Sequence, residues 1–170
     1  MKRLVTLVLA AAALALGGTS ALAAGVEKPV SFVMTSAQCP HLPPGTTITG
    51  TGTEKSIEHV TTDRKGITTI HNVTHSHGTA KDQAGNTYVF NYANSFRISN
   101  SATSPAVFSG LMIDAFSLAG RGPARLHNGF IAVFTLEFGT TPEPTARFQE
   151  LHSRGDPIDF DTGEARCDPL

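Results

Sequence analysis

No P-loop, GxGxxG, HExxH, ordered Ser-His-Asp set or paired-cysteine metal motif occurs in the 170 residues of the chain. Their absence lowers the standing of the commonest enzyme classes, because each motif marks a particular phosphate, metal or nucleophile chemistry. Lys and Arg are nowhere clustered; setting aside Lys2 and Arg3 leaves 11 of the 13 cationic residues against 14 acidic ones, a net charge near −3. Nucleic acid asks for a basic face, so it is not expected as a partner. After the first residues there is no apolar run long enough to cross a bilayer, no low-complexity block and no repeat of fixed period. Helical patterning is nearly missing too: apolar residues alternate instead of recurring every third or fourth place.

Cysteine is scarce, with Cys39 early and Cys167 three residues from the end. Neither lies in a C-x-x-C or a nucleophile-like setting, and an oxidising destination favours pairing them. Closing so long a loop stabilises a fold by up to about 5 kcal/mol in the chain-entropy description. The bond is expected to staple the two ends of the domain together.

That destination is read from the first residues. Lys2 and Arg3 precede an apolar run from Leu4 to Leu16 and the small-residue sequence Ala21-Leu22-Ala23, the charge, core and cleavage pattern of a secretory signal. Residues 1–23 are therefore expected to be removed, leaving residues 24–170 as a single secreted, extracellular domain with no membrane span and no lipid-bearing cysteine at its start. About 146 residues are enough to bury a sizeable core.

What is present is the chemistry of strands. Thr, Val, Ile, Phe and Tyr dominate, and strands are expected over residues 30–35, 46–61, 66–79, 87–99, 106–118 and 125–138. Turn chemistry separates them: Asp63-Arg64-Lys65-Gly66, Asp82-Gln83-Ala84-Gly85-Asn86, residues 100–105, and Ala119-Gly120-Arg121-Gly122-Pro123. Short connections between long strands predict an all-β antiparallel meander forming a small barrel, with a curled β-sandwich as the alternative. Residues 145–152 read equally as a short helix capped by Thr145 or as a seventh strand.

One parity carries the rings. Tyr88, Phe90, Tyr92, Phe96 and Ile98 share a face, as do Phe108, Gly110, Met112, Asp114, Phe116 and Leu118, and then Leu126, Phe130, Ala132, Phe134, Leu136 and Phe138. The inward surface predicted for a ligand is Tyr88, Phe90, Tyr92, Phe108, Met112, Phe116, Phe130 and Phe134. Asp114 falls on that same parity, where an unpaired carboxylate costs several kcal/mol or stays protonated. It needs a partner, for which Arg97, Arg125, His127, Tyr88 and Tyr92 are the candidates on neighbouring strands, and it is the one candidate for a catalytic acid or base. Val107, Leu111 and Ile113 make the other face of the same strand apolar as well.

His71, His75 and His77 share one face of the third strand, and His59 on the neighbouring strand offers a fourth imidazole. An H-x-H pair on a strand aims both rings the same way, which suits zinc or copper. Thr68, Ile70, Asn72, Thr74 and Ser76 on the other face are hardly more apolar, so the pattern does not say which side is buried. Gly129, within Leu126-His127-Asn128-Gly129-Phe130, reads as a bulge that re-aims His127.

With an Ala-rich signal, an early Cys, Thr-rich strands, the Phe160-Asp161-Thr162-Gly163-Glu164 stretch and a Cys close to the end, the chain resembles small exported proteins of uncharacterised role from high-GC bacteria. That resemblance implies no chemistry. In strand plan it is also similar to lipocalin-like and allene-oxide-cyclase-like barrels, whose signature motifs it lacks, so the likeness implies an architecture and no activity. The leading expectation is a non-catalytic exported protein that binds an apolar or amphipathic small molecule in an aromatic-lined barrel and needs no cofactor. The alternatives are a metal-binding protein or metal-assisted enzyme using His71, His75 and His77, and an extracellular module that recognises another protein through the outer face of the fifth strand.

Overall fold

The computed structural model describes residues 25–139, 144–156, 158, 159, 164, 165 and 167. The signal expected over 1–23 and most of the turn expected at 161–164 lie outside the described residues. Seven strands, β1 (Val26–Thr35), β2 (Thr47–Thr62), β3 (Thr68–Asp82), β4 (Thr87–Ser101), β5 (Ser104–Gly120), β6 (Leu126–Glu137) and β7 (Thr145–Arg154), form one sheet in chain order. Each pairs antiparallel with the next. Among the described residues β8 (Ile158–Asp159) and β9 (Glu164–Ala165) pair only with each other. The choice left open for residues 145–152 resolves as strand.

The turns hold for local reasons. Asp63 Oδ1 accepts from the Lys65 and Ile67 amides, and Asp82 Oδ1 accepts from those of Ala84 and Asn86. Short acidic side chains that capture the amides just after them stabilise tight turns in this way. The connection expected over 100–105 is much shorter, because β4 runs on to Ser101 and β5 starts at Ser104.

The sheet curls strongly but does not close, which corrects the barrel expectation. Phe32 on β1 meets Phe116 on β5 at a ring-centroid distance of 6.1 Å although three strands lie between them in the sheet. Yet, among the described residues, β1 and β7 remain edges and do not pair. Barrel closure needs edge-to-edge hydrogen bonding, and both edges discourage it. Pro29 gives β1 a position with no amide to donate, and β7 carries Arg147, Glu150 and Arg154 on exposed positions. Gly50, the register partner of Phe32, makes the curl fit: a Cβ there would lie 2.3 Å from the Phe32 ring.

Even-numbered side chains from β2 to β6 turn to the concave side and collect into two apolar clusters. The first joins Phe32, Met34, Ile48, Tyr88, Phe90, Tyr92, Phe116, Leu118 and Leu126 with the disulfide-bonded Cys39 and Cys167. Phe32 packs edge-on against Phe90 at 5.0 Å. The second is built on Ile70, Phe96, Ile98, Met112, Phe134 and Leu136, with Val60, Phe108, Phe130, Phe138 and Phe148 packed against it and only partly buried. The contrast follows from the reach of β1, which runs beside residues 47–56 of β2 and leaves Ile57 to Thr62 without an outer neighbour among the described residues. Among the described residues, one half of the concave face is covered and the other stays open at its rim.

Candidate functional site

Between the two clusters the same inward parity turns polar. Glu54 on β2, Asn72 and Ser76 on β3, Asn94 on β4, Asp114 on β5 and Asn128 on β6 are all buried. The register aligns them across the sheet, with Glu54 opposite Ser76 and Asn94 opposite Asp114. A polar belt thus crosses the interior near mid-strand, and burying polar groups is costly unless each finds a partner. Most do. Ser76 Oγ donates to Glu54 Oε2 at 3.4 Å, Lys28 Nζ reaches Glu54 Oε1 at 2.9 Å, and Asn72 Nδ2 donates to Ser56 Oγ at 3.3 Å.

Asp114 is the exception in kind. The Tyr92 hydroxyl and Asn94 Nδ2 both donate to its Oδ2 at 2.8 Å, and Oδ1 takes part in neither bond. Among the described residues no cation pairs with it. Burial pushes its carboxyl above the ordinary aspartate range, and the Asn94 and Tyr92 hydrogen bonds only partly offset this. Of the partners expected from the sequence, Tyr92 is present and Arg97, Arg125, His127 and Tyr88 are not; the Tyr88 hydroxyl instead donates to Asp82 at 2.9 Å. Half-buried Glu58, whose register partner is Asn72, is also shifted upward by burial.

A second unusual group lies on β6. Asn128 is buried, its Oδ1 accepts the Asp156 amide at 3.3 Å, and its Nδ2 has no partner among the described residues. Gly129 is no bulge: it pairs in register with Ala115, and a Cβ there would come within 2.5 Å of the Asp114 carbonyl oxygen. The register shift falls at Ile131/Ala132, between β6 and β7, and His127 stays on the exposed face.

The residues predicted to line a ligand site are divided between the clusters. Tyr88, Phe90, Tyr92 and Phe116 are buried in the first; Met112 and Phe134 are buried in the second, and Phe108 and Phe130 are partly buried against it. The histidines sit on the opposite, convex side. His75 and His77 are exposed with their rings stacked 5.7 Å apart, His71 is half-buried, and His59 is its register partner on β2. Among the described residues, the donor atoms that converge belong to Cys39, Asp156 and Cys167 rather than to these histidines. Val73, Leu111 and Ile113 lie exposed on the convex side.

Sequence reasoning missed Glu54, Asn94, Asn128 and Asp156. Asn94 carried a signal, because it sits on the parity of Tyr92 and Phe96, where a polar residue is as anomalous as Asp114. Among the described residues no helix is long and apolar enough to cross a membrane. Comparison with known protein families, curated proteins and solved structures gives no match, so the site is read from its own chemistry.

Proposed function

We propose that the chain is an exported, non-catalytic binding protein for an amphipathic small molecule whose apolar part lies on the open aromatic rim and whose polar end carries a hydrogen-bond donor or a cation. The observation that carries this reading is Asp114, a buried carboxylate held by two neutral donors at the border of the open cluster. Such a group is expensive to bury and gains most from a ligand that brings the missing positive charge or donor. Phe108 and Phe148, farther along the sheet in the same cluster, offer partly buried apolar surface. Asn128 Nδ2, without a partner among the described residues, is a donor on the neighbouring strand for an acceptor on the same ligand.

The test compares a long-chain alkylamine with the alkyl carboxylate of equal length, each titrated against the protein and followed by native mass spectrometry. The amine binds and the carboxylate does not, and Asp114→Asn removes the preference. Equal binding of both probes, or a preference that survives in the variant, overturns the reading.

A further inference from the structure

Asp156 follows β7 and is buried to 1% exposure beside the sulfurs of Cys39 and Cys167. Cys39 lies in the connection between β1 and β2, and His41 follows two residues later. Its Nδ1 contacts Asp156 Oδ1, while Asp156 Oδ2 faces Cys39 Sγ at 3.5 Å and also contacts Cys167 Sγ. Three separate segments therefore bring two sulfurs, a carboxylate and an imidazole to one place, with the sulfur and carboxylate donors all within 4.8 Å of one another. Gly155, at φ +87°, sets Asp156 there, because a Cβ at that position would meet Asn128 Oδ1 at 2.0 Å.

In the disulfide this arrangement leaves Asp156 poorly served. Neither sulfur of a disulfide carries a hydrogen, so the oxygen that faces them receives no bond from them, in a place where an unsatisfied acceptor is costly. Reduction reverses that: thiols can donate to Oδ2, and thiolates can share a cation with it. Two thiolates, one imidazole and one carboxylate are a donor set suited to tetrahedral zinc, whose bonds of about 2.0–2.3 Å put neighbouring donors roughly 3.3–3.8 Å apart.

We propose that Cys39, His41, Asp156 and Cys167 form a redox-gated site for a thiophilic divalent cation of the zinc class. A dithiol reductant gives two electrons and two protons to the disulfide, forming two cysteine thiols and its own cyclic disulfide. The cation then displaces one proton from each thiol and binds both thiolates, the Asp156 carboxylate and the His41 imidazole. The two states are alternative staples for the same segment. Among the described residues β8 and β9, which precede Cys167, pair only with each other and not with the main sheet, so the link at Cys167 ties this end to the body in either state. His41, with its side chain 58% exposed, gives the cation a route from solvent.

The experiment uses the full secreted chain, oxidised or reduced with a phosphine that binds zinc weakly, and titrated with Zn²⁺ and separately with Co²⁺. The reduced protein takes up one metal per chain, melts at a higher temperature with zinc than without it, and shows a thiolate-to-cobalt charge-transfer band in the near ultraviolet. The oxidised protein does none of these. His41→Ala, at a side chain 58% exposed, weakens zinc binding by roughly tenfold or more and keeps the sulfur band. Equal uptake in both redox states, no stoichiometric uptake on reduction, or zinc affinity unchanged in His41→Ala would each overturn the proposal.

Discussion

The two ends of the concave face are made from the same kinds of residue and do different things. At the covered end, β1 lays Phe32 against Phe90 and Phe116, and the Cys39–Cys167 link closes over them. At the other end, Phe134 stacks on Phe148 at 4.9 Å and Phe108 meets Phe138 edge-on at 5.7 Å, but Phe108, Phe138 and Phe148 keep part of their surface in water. A ring does not announce from its parity whether it is core or contact surface. That depends on whether another strand crosses it, and here the ten residues of β1 decide the matter.

The sharpest way to break the comparison is to truncate a ring at the covered end. Phe90 is fully buried, so Phe90→Ala removes a side chain that cannot be replaced by water and is expected to destabilise the fold by about 3–5 kcal/mol. Phe148→Ala at the open end is expected to cost about 1 kcal/mol, because part of that ring is already hydrated. Urea unfolding of both variants checks this. Equal losses would mean that the two ends are equally core. Next in size, Cys39→Ser under oxidising conditions should cost about 2–5 kcal/mol by freeing the covered end, with the loss read as a lower unfolding midpoint.

The belt between the ends yields a smaller effect of opposite sign. Burial raises the folded-state titration of Asp114 above its unfolded value, so its folded form holds a proton where the unfolded chain has released it. Stability from this group is therefore fully present below the ordinary aspartate value near 3.8 and is lost as pH rises through the raised one. Asp114→Asn keeps an oxygen for the Tyr92 and Asn94 donors and removes the charge. It should stabilise the protein by on the order of 1 kcal/mol at neutral pH, and the gain should fade on acidification toward that ordinary value. A variant less stable than the parent at neutral pH would show that the carboxylate is well solvated or paired. Asp82, in the turn after β3, runs the other way. The Asn86 side chain above all, with Tyr88 and two turn amides, holds its carboxyl below the usual range, so its contribution is present above the ordinary aspartate value and lost on acidification.

Period-two hydrophobicity made the strands from β2 to β6 and their order legible before any coordinates, together with the inward parity of β4, β5 and β6. The anomaly at Asp114 was legible for the same reason, because a carboxylate in an aromatic stripe breaks the pattern. The face of β3 was not. Thr, Asn and Ser alternate there with His, and neither set outweighs the other in hydrophobicity, so only the register with β4 shows that Ile70, Asn72 and Ser76 point inward. Closure was illegible too, since it depends on whether the two edge strands meet, and no local residue pattern reports on a contact between the first strand and the last. The place of Asp156 escaped for a related cause: it follows β7, far along the chain from Cys39, and its approach to the expected cysteine pair leaves no spacing to read.

The smallest change in stability should come with the clearest change in binding. Phe108 lies on β5 at the open rim, packed edge-on against Phe138 and only partly buried, so Phe108→Ala gives up one aromatic contact worth about 0.5–1.5 kcal/mol and little buried area. If the rim is a contact surface, the same substitution removes apolar area from any amphiphile seated there and should weaken alkylamine binding by roughly tenfold. Phe90→Ala, compared at a temperature where both variants remain folded, should leave that affinity nearly untouched despite its far larger cost in stability. The two variants thus separate holding the fold from holding a ligand, which a single truncation cannot do. If binding follows stability across both ends, the open rim is only a poorly covered core.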